Sequence, residues 1–391
     1  MQLFDRQTII DWRARSIQDP VERLKFLRGH TGTGWRERRG SFLPGLKWLA
    51  PALALGLTGV LVSGYEHTRP ETMPISRSVI LPPVIPLQQA MGETAVWLVD
   101  RKGDVETYSN GLRVENRFAV NSQPREGYRV YPRDNTSSAM AQTMNAPAGI
   151  VFHTTESDEV PFQADQDRNL KRIGLSVLLF VQQNRSYHFV IDRFGRVFRI
   201  VREEDVAKHA GNSIWADDER VYVGLNTSFL GIAMETQSKA GQDSAAANGA
   251  QIYAARVLTQ MLRSKYHIAA ANCVTHAQVS VNPANWLIGY HTDWAANFPF
   301  LELGLRDNYL QPPASIVVFG FGYDPLYLQS TGERLLPGLL NAENQVRAQA
   351  SRLGLPVERY KALLQAKYLH LIASSRPDKG SKEKEEQQNG S

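Results

Sequence analysis

THAQVSVNPANWLIGYHTDW, from Thr275 to Trp294, brings three side chains that bind metals into one short stretch: His276, His291 and Asp293. A catalytic metal shell of three protein ligands leaves a fourth position for water. Only two of the three can therefore join a ligand from elsewhere in the chain. Upstream, GIVFHT (Gly149–Thr154) is an apolar run closing on His153, and FLGIAMET (Phe229–Thr236) is a second such run. Both read as buried strands, because strands covered on two faces lose the apolar–polar alternation. His276 follows the apolar residues around Cys273 and Val274. His153 and His276 thus fall at or just beyond strand ends, where side chains converge over the edge of a sheet.

The elements between these runs set the fold class. Asn169 to Gln183 has helical spacing, and YHFVIDRFGRVFRIV (Tyr187–Val201) reads as two strands around a turn at Phe194–Gly195. Ile252, Ala255, Val257, Leu258, Met261 and Leu262 mark a long amphipathic helix within 245–266. Strand, helix, hairpin, strand and helix in this order predict an α/β domain, a mixed central β-sheet flanked by helices. Ahead of it, AVWLVD, VETYSN and LRVENRFAV, separated by turn signals, read as a small β meander.

Composition narrows the function classes. The chain has 391 residues, 42% hydrophobic, with a net charge of only +5, which gives no support to nucleic-acid binding. Its single cysteine, Cys273, excludes an intramolecular disulfide and any metal site built on several thiolates, and reads as a small buried residue. WLAPALALGLTGVLVSGY (Trp48–Tyr65) carries no charge and, at about 1.5 Å per helical residue, nearly spans a hydrocarbon core of about 30 Å. The basic RLKFLR and RERR precede it, so the positive-inside rule places the N-terminus in the cytoplasm and the bulk of the chain outside. The sequence then divides into a cytoplasmic tail (1–46), a single transmembrane helix (47–66) and a proline-rich spacer (67–92). After these come the small β region (93–135), the histidine-bearing domain (136–305), a mostly helical extension (306–373) and a charged, disordered tail (374–391). No internal repeats occur.

Taken one at a time, each histidine reads as a satisfied polar residue. Taken in order, GIVFHTTES, YHFVIDRFGRVFRI, HAGNS, LNTSFLGIAMET, THAQVS and HTDW resemble the zinc-dependent N-acetylmuramoyl-L-alanine amidases of the phage-lysozyme type, relatives of the peptidoglycan recognition proteins. The resemblance spans roughly residues 148–300. It implies Zn2+ held by His153, His276 and Asp293, the last falling on the aspartate of the family's K-T-D-P-G phrase. His291 then stands where the family has lysine and serves the transition state as a cation. The alternative, His291 as third ligand, stays open. Two departures are plain: the second and third ligands lie seventeen positions apart, longer than usual, so VNPANWLIG forms an extra loop, and the proline and glycine after the aspartate are absent.

The resemblance also implies the chemistry: hydrolysis of the amide between the lactyl group of muramic acid and L-alanine in peptidoglycan. The family's general base is a glutamate on a G-I-E strand. Here that position is Ala233, and the acid comes two residues later at Glu235, on the same face of a strand. His209 and Asn226 fall in loops that line the family's substrate groove, while His188 reads as a packed strand residue. Two other classes compete: a peptidoglycan-binding module of the same fold that does not cut, and an envelope scaffold whose β meander and C-terminal helices do the work.

Overall fold

The computed structural model describes residues 95–238 and 246–375. Eight strands form the central sheet: β1 (Leu98–Lys102), β2 (Val105–Tyr108), β3 (Arg113–Glu115), β4 (Gly149–Thr154), β5 (Phe189–Ile191), β6 (Val197–Arg199), β7 (Phe229–Met234) and β8 (Cys273–Thr275). Their order is β1-β2-β3-β6-β5-β7-β4-β8. β5, β7, β4 and β8 run parallel to their neighbours, while β5 and β6 form the expected antiparallel hairpin. All six residues of β4 and all six of β7 are buried, which is why neither alternates in sequence.

Two helices cover the two faces. On one, Leu178 and Val181 of α1 (Asp167–Asn184) pack with Val190, Phe198 and Ile200. On the other, Ala254, Val257, Leu258 and Met261 of α2 (Gly249–Tyr266) pack with Ile150, Phe152, Leu230, Ile232 and Met234. Successive strand residues face opposite ways, so His153, Ala233 and Glu235 belong to the α1 face. The start of α2 is fixed by a capping box: the Asn248 side chain accepts from Gln251 N, and the Gln251 side chain accepts from Asn248 N.

β1, β2 and β3 form the antiparallel meander read from the sequence, but it does not stand apart. β3 pairs in parallel with β6 and carries the meander into the central sheet, and buried Leu112 and Val114 join the α2 core. A second sheet joins Tyr128–Pro132 to Gln142–Met144 and to Arg220–Val223, which pairs with Ile214–Ala216. It crosses the boundary drawn at 135/136, because its strands find their partners far along the chain.

The C-terminal part is helical. After α3 (His276–Val279) come α4 (Ala314–Phe319), α5 (Pro325–Ser330), α6 (Pro337–Arg352) and α7 (Val357–Ser375). Ile316 and Phe319 of α4, Leu339, Ala342 and Val346 of α6, and Tyr368 and Leu371 of α7 share a core with Ala277, Val281, Ile288 and Ala295. The extension thus packs against the segment that carries two of the three expected ligands. Among the described residues no helix is long and apolar enough to cross a membrane. The transmembrane helix expected at 47–66, the tail and spacer around it, and 376–391 lie outside the described residues.

Candidate active site and metal centre

Parallel pairing aligns the C-terminal ends of β7, β4 and β8. His153 lies level with Ala233 on one side, and on the other Phe152 is level with Thr275, the residue before His276. The two histidines thereby reach the same edge of the sheet, their rings 4.4 Å apart between centroids.

Asp293 arrives from the extra loop. That loop folds as a hairpin, Val281–Asn282 against Leu287–Ile288, and it is tied to the C-terminal region: Ile288 N donates to Gly322 O at 2.8 Å and Gly322 N to Trp286 O at 2.7 Å. Gly289 follows with φ +70, and a Cβ there would meet the Tyr327 ring at 1.9 Å. Only glycine fits both the backbone and the space. The turn after Asp293 replaces the missing proline and glycine with Trp294 at φ +56, an unfavourable backbone for a bulky residue. Burial of the Trp294 ring against Phe298 and a Tyr309 hydroxyl donating to Trp294 O at 2.7 Å hold it there.

His153, His276 and Asp293 are close enough to share one ion, with a ligand atom from each lying within 4.8 Å of the others. All three are buried. His153 Nδ1 lies 3.1 Å from Asp293 Oδ2 and His276 Nδ1 lies 2.9 Å from Asp293 Oδ1. Ligand atoms on a tetrahedral zinc with bonds of about 2.0–2.2 Å stand roughly 3.3 Å apart, so the spacing fits.

The hydrogen bonding behind His153 tests the fit independently. His209 Nε2 lies 3.1 Å from Phe229 O, which only accepts, so that nitrogen carries the proton. In a neutral ring His209 Nδ1 is then bare, and it accepts from His153 Nε2 at 3.2 Å. With its proton on Nε2, neutral His153 turns a bare Nδ1 toward a carboxylate oxygen. Two acceptors face one another, an arrangement that needs a cation. Burial and the neighbouring His276 push the His153 pKa down to about 4, which keeps the ring neutral at pH 7. At Asp293 burial opposes ionisation, but His276 and His153 outweigh it and hold the carboxyl well below the usual range. A neutral imidazole at His153 and an ionised carboxylate at Asp293, with the His276 ring beside them, make a donor set for a divalent ion.

His291 is not in that group. Its ring stacks on His276, centroids 4.5 Å apart and planes at 18°, and its backbone N–H donates to Ser280 Oγ at 3.0 Å. Partial burial and the neighbouring His276 lower its pKa to about 4. The imidazolium expected there is therefore replaced by a neutral ring at pH 7, since no carboxylate outweighs those two effects.

Glu235 is 3% exposed on the α1 face, two residues beyond the level of His153. Strand geometry puts the two Cα atoms about 8 Å apart. A Cβ on Gly174 of α1 would come within 3.0 Å of Glu235 Oε2, so the bare glycine makes room for the acid under the helix. Burial pushes its pKa up to about 7, against a hydrogen bond from Arg193 N. The groups nearest it electrostatically are Asp192, Arg193 and Arg196 of the β5–β6 hairpin.

His209 and Asn226, expected to line a groove, sit beneath the centre instead. His209 is buried, and Asn226 Oδ1 accepts from His209 N at 2.9 Å and Ala210 N at 2.7 Å. His188 is fully buried just ahead of β5, and its Nδ1 accepts from Gly231 N. Sequence reasoning missed Tyr187, whose ring lies 5.0 Å from that of His153. Burial, then Asp293 and Glu156, raise its pKa, so the phenol stays protonated. Only its place beside a strand that pairs with β7 marks it, and that pairing is not legible locally.

Residues 143–293 match the family model described as N-acetylmuramoyl-L-alanine amidase. No curated protein matches the chain. Among solved structures, amidase LysC from Clostridium intestinale is 24% identical over 40% of this chain and 82% of its own, with a TM-score of 0.25. AmiD from E. coli, solved with anhydro-N-acetylmuramic acid-L-Ala-D-gamma-Glu-L-Lys, is 20% identical over 66% and 99%, with a TM-score of 0.35. AMPDH3 from Pseudomonas aeruginosa is 21% identical over 54% and 69%, with a TM-score of 0.30. These likenesses carry no part of the assignment. The family match spans the strand that carries His153, the helix and hairpin around it, and the loop that ends in Asp293, and on it residues 143–293 are a domain of the N-acetylmuramoyl-L-alanine amidase family.

Proposed function

We propose that the chain is a zinc-dependent N-acetylmuramoyl-L-alanine amidase that cuts the amide between the muramic acid lactyl group and L-alanine in peptidoglycan. The observation that carries the reading is the convergence of His153, His276 and Asp293 at one sheet edge, within an amidase-family domain. When bound there, a zinc ion supplies Lewis-acid polarisation of the carbonyl and lowers the pKa of water. Everything else falls to side chains of this chain.

Glu235 is the proton carrier. With a pKa near 7 it takes a proton from the attacking water and returns it to the departing amine, at a pH where both forms are populated. Tyr187, protonated and beside His153, donates to the oxygen that gains charge. His291 contributes as a neutral N–H donor at the rim rather than as a cation. Helix α1 excludes water from Glu235.

Ala233, a methyl where the family has its acid, favours a second reading, a binding module that holds peptidoglycan without cutting it. Incubation of purified sacculi with the protein, with and without chelator, decides between them. Release of stem peptides that chelator stops and zinc restores is expected. Glu235→Gln should keep stoichiometric zinc and lose activity by on the order of 10²–10⁴-fold. Tight sacculus binding without release establishes the module instead.

We place the domain on the outer side of the cytoplasmic membrane, tethered by the apolar run 48–65 with its basic N-terminal flank. A reporter fused after Ser391 that is active only in the cytoplasm overturns this.

A further inference from the structure

The two sequence motifs expected to touch substrate, KHAGNS and LNTSFLGI, meet underneath the metal centre, and their geometry points to a different task. We propose that Asn226 and His209 form a positioning pair that fixes the tautomer and orientation of the ligand His153, and so sets the metal affinity of the site. This rests on the reading of His153, His276 and Asp293 as a zinc site.

The links are continuous. Asn226 Oδ1 accepts both His209 N and Ala210 N, which fixes the turn from which the His209 side chain projects. His209 Nε2 donates to Phe229 O on β7, so its Nδ1 is left as an acceptor. That Nδ1 receives the Nε2 proton of His153 and leaves His153 Nδ1 free toward Asp293. Two further features exist for this arrangement. Gly231 is bare where a Cβ would meet His209 Cγ at 2.6 Å, so the imidazole lies directly on β7. His188 Nδ1 accepts from Gly231 N at 2.9 Å, which holds that strand residue from the other side.

The second histidine has no such support. His276 Nε2 is buried and has no hydrogen-bond partner among the described residues. Orientation through hydrogen bonds behind the ligands is therefore concentrated on His153, and the pair at 209 and 226 carries it. A partner that fixes a ligand histidine is typically worth a factor of about 10–100 in metal affinity.

The test is zinc affinity of the full-length chain, measured by competition with a chromophoric chelator, beside thermal unfolding of the zinc-free forms. His209→Ala should weaken zinc binding about 10–100-fold. His209→Gln should recover most of that loss, because the amide oxygen accepts from His153 and the amide N–H donates to Phe229 O. Asn226→Ala should give a smaller loss of the same kind. Nitrogen NMR of the zinc-free wild type should find His153 protonated on Nε2 and bare on Nδ1. A folded His209→Ala that binds zinc like the wild type overturns the proposal. So does a folded His209→Gln that recovers nothing, or a His153 proton on Nδ1. A wild-type chain that binds no zinc at all removes the metal centre itself and is distinguishable from each of these.

Discussion

The two halves of the metal centre are held by different means. His153 is the fifth residue of a strand whose six residues are all buried, flanked in parallel by β7 and β8 and backed by His209. His276 and Asp293 instead bracket a hairpin loop, joined by Ala277 N donating to Asp293 O at 3.2 Å and braced by the C-terminal helices. The first half is made rigid by main-chain pairing, the second by side-chain packing against a distant part of the chain. A ligand on a strand is set once the sheet forms. A ligand on a loop depends on whatever packs behind the loop.

The largest effect expected is loss of the metal. His153→Ala and Asp293→Ala should each abolish zinc binding and amide hydrolysis, one from each half. His291→Ala should keep its zinc, because the ring stacks on His276 and stands outside the ligand group. Metal analysis of the three purified variants decides this. A metal-free His291→Ala beside a loaded Asp293→Ala would reverse the roles of the two residues in the HTDW phrase.

An intermediate effect separates the halves directly. Gly289→Ala puts a methyl into the Tyr327 ring at a backbone conformation alanine resists. Overpacking of this kind costs about 1–3 kcal/mol. It should also weaken zinc affinity, although Gly289 touches no ligand, because it dislodges the hairpin between His276 and Asp293. Gly103 also has positive φ, but nothing crowds it, and it lies in the β1–β2 turn far along the sheet from the centre. Gly103→Ala therefore serves as the control: a modest loss of stability with unchanged zinc affinity. Equal zinc affinity in both variants would show that the loop half needs no brace.

The same contrast explains what was legible in the sequence. GIVFHT and FLGIAMET announce buried strands by composition alone; the first puts His153 near a strand end, and the apolar residues around Cys273 and Val274 do the same for His276. An extra loop was expected from the long spacing between His276 and Asp293, but not its hydrogen bonds to Gly322. Those join residues brought together only by packing of the C-terminal helices. The resemblance puts His209 in a groove-lining loop, while its position under His153 follows from sheet order, which puts β7 beside β4. The β1–β3 meander was read as strands for the right reason, alternation, yet alternation names no partner. The resemblance separates Ala233 from Glu235 and period two puts both on one face of their strand; that this is the His153 face follows only from the β4–β7 register.

The smallest effect is a pH dependence of stability that arises on the strand side. In the zinc-free protein, burial lowers the pKa of His153 to about 4, of His188 to about 3 and of His209 well below its ordinary value. An unfolded histidine titrates near 6.5. Between about pH 4 and 6.5 the unfolded chain therefore binds more protons than the folded one, and stability rises with pH. Each histidine's contribution is whole above pH 6.5 and lost as pH falls through that window. Glu235 acts in the opposite sense: raised to about 7, it binds its proton more tightly when folded, and its contribution is lost as pH rises. Three histidines against one glutamate leave a net difference of about two protons, hence roughly 3 kcal/mol per pH unit. His291 adds less, because its surface is open to solvent and its charge is screened. Asp293 adds nothing in this window, since its lowered pKa places its loss below the ordinary carboxylate range. Denaturant midpoints measured with chelator at pH 5, 6 and 7 should climb with pH, and the climb should flatten in His209→Gln by about one proton. A flat profile in the wild type would mean that water reaches the histidines behind His153, and the strand half would then be no more rigid than the loop half.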